Sequence, residues 1–90
     1  MLSISGITQD GKYVISGVHK LVGTYGLPLE DVLIYFTNKN YVIDWLDYIL
    51  SASKEGASNK TIKSKLLAAA SEIYRGDDII NFTKIMDYML

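Results

Sequence analysis

Two pairs of aspartates, one histidine and a group of glycines are the residues of this chain whose types could do chemistry. Asp44 and Asp47 stand three residues apart, so on a helix they would share a turn. Acid/base catalysis or a divalent cation can use such a carboxylate pair, but no histidine or third acid stands at a spacing that completes the set. Capping explains both residues more simply. Asp44 precedes an apolar helical stripe, and Asp47 falls in that helix's first turn. Asp77-Asp78 reads the same way, as a helix start. His19 is the only histidine. A catalytic imidazole needs an orienting carboxylate or a nucleophile, and a metal-bound one needs companion ligands; neither is identifiable, which assigns His19 to a helix surface or to packing. Gly17, Gly23 and Gly26 match neither the dinucleotide fingerprint nor a phosphate loop, and no Gly-Lys-Ser/Thr occurs. With no cysteine, disulfides, thiol catalysis and Cys-ligated metals are excluded. The expectation is no enzyme, with no catalytic, cofactor-binding or metal-binding residue.

The most specific spacing is Ala52-x3-Gly56-x5-Ile62. It resembles the helix-turn-helix of phage and bacterial repressors, with a small residue in the first helix, glycine at the turn and an aliphatic residue inside the second. Glycine permits the reversal, while Ala52 and Ile62 pack where the helices cross. The second helix would open at Ser58 and carry Asn59, Lys60, Lys63 and Lys65, groups suited to phosphates and base edges. Across residues 51–76, five cations against Glu55 and Glu72 give a local charge of +3, whereas the remainder carries −4. Two residues depart from the repressor pattern: Glu55, just before the turn glycine, and Lys65 both fall where such motifs bury apolar side chains. An ordinary αα-hairpin with a solvated lysine face accounts for the same residues, and a net charge of −1 supplies no wider basic surface. DNA binding is therefore the alternative function.

The elements that must position these groups follow from apolar periodicity. Val14, Val18, Leu21, Val22 and Tyr25 recur at helical spacing and predict a helix over about 12–25, with Gly26 ending it. Residues 1–11 are poorly defined. Weak alternation from Ser3 to Thr8 and the Asp10-Gly11 turn pair offer a competing reading, an N-terminal hairpin with residues 12–16 as its second strand. After Gly26-Leu27-Pro28, the stripe Leu29, Val32, Leu33 and Phe36 predicts a helix ending near the turn at residues 37–40. Trp45, Leu46, Ile49 and Leu50 form the buried face of a third helix, capped by Asp44 and stopped by Gly56. Ser58 caps a fourth, bearing Ile62, Leu66, Ala69, Ala70 and Ile73, and Gly76 ends it. A fifth runs from Asp77 or Asp78 to Leu90. The fold class expected is all-α: one domain over residues 1–90, a bundle of four to five short helices containing the helix-turn-helix-like unit.

Composition narrows the function. Ninety residues give one modest core, yet 49% of them are apolar and the mean hydropathy is +0.15. So small a domain cannot hide that much apolar surface by itself, which predicts an exposed patch for self-association or a partner. The last helix is apolar nearly all round, which predicts burial on a second side by another chain, most simply a homodimer. Tyr35, Tyr41, Tyr48, Tyr74 and Tyr88 flank the stripes, where tyrosines serve packing or interfaces. The candidate protein interface is Tyr35, Tyr48, Ile80, Ile85, Tyr88, Met89 and Leu90. No signal-peptide pattern and no run long enough to span a bilayer occurs, and the expected location is cytoplasmic.

The segments Gly26-Leu27-Pro28-Leu29, Asp44-Trp45 with Tyr48, Ala52, Gly56, Thr61-Ile62 and Ile73-Tyr74 resemble small helical accessory proteins of large tailed bacteriophages. Lysine-, isoleucine-, asparagine- and tyrosine-rich usage with a single arginine suits an AT-rich phage genome. The resemblance implies a regulatory role on a host or phage protein, in lysis inhibition, transcription takeover or defence evasion. It carries over no site residues. The function expected is a non-catalytic protein–protein interaction module.

Overall fold

The computed structural model describes residues 2–90. Its elements are β1 (Ser3–Ile7), β2 (Tyr13–Ser16), α1 (His19–Gly23), α2 (Leu29–Asn38), β3 (Val42–Ile43), α3 (Trp45–Lys54), α4 (Asn59–Ile73) and α5 (Asp77–Met89). Five helices form, but the chain is not all-α. The three strands make a mixed sheet in the order β1-β2-β3, with β1 antiparallel and β3 parallel to β2.

The hairpin displaces most of the helix expected over 12–25. Asp10-Gly11 does form its turn, closed by the Gly11 amide on the Thr8 carbonyl at 3.0 Å and the Thr8 amide on that of Lys12 at 2.8 Å. Val14 and Ile15 then pair on both sides, with Gly6 and Ile4 of β1 and with Val42 and Ile43 of β3. Ile15 and Ile43 are thereby buried. Gly17 sits at φ 85°, in a region where a side chain costs about 1–2 kcal/mol, and this break confines α1 to five residues. Periodicity misled here because residues 14, 18 and 21 suit either a helix face or a strand followed by one turn of helix. Val42-Ile43 was invisible, since a two-residue strand has no period of its own.

The remaining boundaries follow local chemistry. Asn40 at φ 61° closes α2, with the Tyr41 amide bonding the Phe36 carbonyl at 2.9 Å. Gly56 at φ 98° closes α3 in the same manner, with the Ala57 amide on the Ala52 carbonyl at 3.2 Å. Asp44 caps α3, and Ser58 caps α4. Helix α4 is the central element: α2 and α5 both pack against it, and Ala69 and Ala70, almost wholly buried, allow close approach. Leu33, Leu66, Met86 and Val18 are the most deeply buried large side chains.

Both aspartates of the candidate pair act in the architecture. Asp44 accepts the Asp47 amide on Oδ1 at 3.1 Å and the Ser5 hydroxyl of β1 on Oδ2 at 2.9 Å, while its own amide donates to the Ile15 carbonyl at 2.8 Å. Asp47 accepts the Gly17 amide at 2.8 Å. Asp44→Ala should lower unfolding free energy by about 1–2 kcal/mol in urea melts, and Asp44→Asn, which keeps an acceptor, by less. Equal losses in the two variants would show that capping by this side chain contributes nothing.

Candidate interaction surface

The groups offered for DNA contact lie at the start of α4, where the Ser58 hydroxyl accepts the Thr61 amide at 3.2 Å. Asn59 and Lys60 are exposed. Lys63 is half-buried and ion-paired with Asp87 of α5, which neutralises it. Lys65 is exposed but turns away from Lys60, over a cavity that it shares with Glu55. Gly56 does make the turn and Ala52 and Ile62 are buried, yet Lys63 is paired with Asp87 and Lys65 lines a cavity, which leaves Asn59 and Lys60 as the unpaired exposed groups among the four.

Exposed apolar side chains occur in several places; Leu46 and Leu50 of α3, expected on that helix's buried face, are each more than half exposed, and two further places bear on function. On α5, Phe82 and Met86 face the core, and Ile79, Met89 and Leu90 pack partly against it. Ile80, Ile85 and Tyr88 point outward, Tyr88 at 93% exposure. The helix is therefore covered on one side only within this chain. Met89 and Leu90 belong mainly to the core side rather than to the outer face. Tyr48 is a firmer correction: at 4% exposure it is a core residue and offers no contact surface.

Tyr35 does stand at a surface, and a larger one than the sequence indicated. It lines two adjoining grooves of ≈270 and ≈330 Å³, both of which also include Leu2 and Phe36. Ile4, Tyr13 and Tyr41 continue the first groove, and Leu21, Leu27 and Val32 the second. The Tyr35 ring meets Phe36 edge-on at 5.4 Å, and Lys39 Nζ lies 5.8 Å from its centroid. Strand β1 is the free edge of the sheet beside this face. Leu2, Ile4 and Tyr13 escaped the sequence reading because only the hairpin brings them to α2, whereas Tyr41 was among the tyrosines noted for packing or interfaces. The alternation of Ser3 to Thr8 was the one signal that could have found them.

His19 and Glu55 form a second unanticipated arrangement. His19 is buried against Tyr48, ring edge to ring face at 5.0 Å, and its Nδ1 lies 3.9 Å from a Glu55 carboxylate oxygen. Gly23 makes the approach possible. A Cβ there would stand 2.8 Å from the imidazole and 2.9 Å from the carboxylate. The glycine that weakens α1 by helix propensity is thus required by packing. Tyr48 in turn meets Trp45, and Trp45 meets Phe82, which carries aromatic contact across to α5.

Comparison with known families, curated proteins and solved structures yields no match to this chain. Within the described residues, no helix is long and apolar enough to cross a membrane.

Burial pushes the Tyr48 phenol from 10.0 up to about 12. Between those values the unfolded chain has released this proton and the folded chain has kept it, so stability falls as pH rises through that window and is unaffected below it. Tyr48→Phe should flatten the alkaline decline in stability. In a spectrophotometric titration, the wild-type protein should show one of its seven tyrosines ionising after the rest, and a single common transition would contradict the assignment.

Proposed function

We propose that this chain is a non-catalytic regulatory module that binds another protein through the apolar face centred on Tyr35. One observation carries the reading: two adjoining grooves, lined mainly by apolar side chains, meet at an exposed tyrosine beside the open edge of strand β1. Tyrosine buries large area at low entropy cost, and a free strand edge offers backbone hydrogen bonds to an extended segment. A cytoplasmic accessory role of the phage kind, acting on a host or phage protein, fits such a surface.

Self-association belongs to the other apolar face. Ile80, Ile85 and Tyr88 of α5 leave an outward apolar strip that a second copy would cover, giving a homodimer by the symmetry common to such contacts. DNA binding through Asn59 and Lys60 stands second, favoured by the Gly56 turn and the exposed start of α4. The Lys63–Asp87 pair weakens it.

Capture from the native host, with and without nuclease, separates these readings. Proteins retained after nuclease but lost with Tyr35→Ser are expected. Retention of the same proteins by that variant would remove the Tyr35 face from the function, and recovery of nucleic acid alone would favour the α4 reading. In sedimentation, the wild-type chain should form a dimer that Tyr88→Ser weakens. A monomer at high concentration would eliminate self-association.

A further inference from the structure

The two residues by which the hairpin departs from the repressor pattern, Glu55 and Lys65, line the same cavity. It measures ≈460 Å³ and lies where α1, α2, α3 and α4 meet, within the ~300–1,000 Å³ typical of small-molecule sites. Its lining includes no residue of the Tyr35 grooves. Leu29, Ile62 and Leu66 are buried and give it an apolar floor, while His19 and Tyr48 supply aromatic walls.

Charge around the cavity is of both signs and largely uncommitted. Among the described residues, Glu30 and Lys65 make no ion pair, and Glu55 approaches only His19. A ligand bearing only negative charge would meet two carboxylates for one ammonium. One bearing only positive charge would balance the two carboxylates and Lys65 in sum but would give the Lys65 ammonium no partner of its own. A metal ion is disfavoured because no group of three or more candidate His, Cys, Asp or Glu ligands converges among the described residues. The combination that matches floor and rim together is an apolar body carrying both an ammonium and a carboxylate.

We propose that this cavity binds a small zwitterion with an apolar side chain, for which a free α-amino acid is the simplest chemistry. The side chain rests on Leu29, Ile62 and Leu66. The ammonium lies toward Glu55, within reach of the His19 and Tyr48 rings, and the carboxylate lies toward Lys65. Gly23 keeps the Glu55 side of the site open, because a methyl group there would collide with both His19 and Glu55.

The test is amide chemical-shift mapping of the full chain with L-leucine and L-phenylalanine, alongside N-acetyl-L-leucine and L-leucinamide, each of which retains only one charge. Shifts should appear at Gly23, Glu55, Thr61 and Lys65 with the free amino acids, and both blocked derivatives should bind about tenfold more weakly. Glu55→Gln and Lys65→Gln should each lose about tenfold in affinity. Lys60→Gln, on the same helix outside the cavity, should lose none, and circular dichroism confirms that each variant folds. Tyr35→Ser should bind the amino acids normally, which separates this site from the protein-binding face. Absence of shifts at these residues up to about 10 mM ligand, or equal binding of a blocked derivative, would overturn the proposal.

Discussion

The carboxylates of Asp44 and Asp47 are the constraint from which the rest of the arrangement follows. They stand at the start of α3, and between them they accept from the Asp47 amide, the Ser5 hydroxyl and the Gly17 amide. One short segment therefore ties β1, the end of β2 and a helix start to a single point. Parallel strands need a crossover, and here it consists of α1, a turn and α2 between β2 and β3. A two-residue β3 could not hold that crossover in register by its own ladder. The Asp44 amide on the Ile15 carbonyl extends the pairing by one bond, and the Gly17 contact fixes where the chain turns into α1. Position 17 carries no side chain, which makes its left-handed backbone feasible.

With the sheet anchored there, α1 falls against α3 and brings His19 over Tyr48. This placement decides what becomes of the helix-turn-helix-like unit. In a repressor, the hairpin's inner positions are apolar and its second helix presents a free polar face. Here Gly56 makes the turn, but Glu55 reaches toward His19 and Lys65 lines a cavity. Asp87 of α5 then takes Lys63. The positive excess of residues 51–76 is distributed around α4, and no concentrated basic surface results.

The apolar surplus has an equally structural explanation. A domain of 90 residues has too little interior for a composition that is 49% apolar. Part of the remainder lies at the Tyr35 face and along the outer side of α5, and part on other elements, as at Leu46 and Leu50 of α3. The first two places are where one element covers another incompletely: α2 beside a free strand edge, and a terminal helix with neighbours on one side.

The sequence by itself determined what depends on neighbours along the chain. Asp44 and Ser58 as caps, Gly56 as a terminator, a turn near residues 37–40 and the stripes of α2, α4 and α5 were legible, because capping bonds and 3.6-residue periodicity act within a few residues. So was the prospect of an exposed apolar face. Only the tertiary structure decided between a helix and a hairpin over residues 12–16, since Val14 and Ile15 satisfy either period until β1 and β3 arrive on their two sides. It also moved Tyr48 into the core and joined Leu2, Ile4, Tyr13 and Tyr41 to Tyr35. The meeting of His19, Gly23, Glu55 and Lys65 at one cavity belongs to the same class. Each of these turns on residues far apart in sequence, and a local pattern carries no record of which distant segment will supply the other half of a contact.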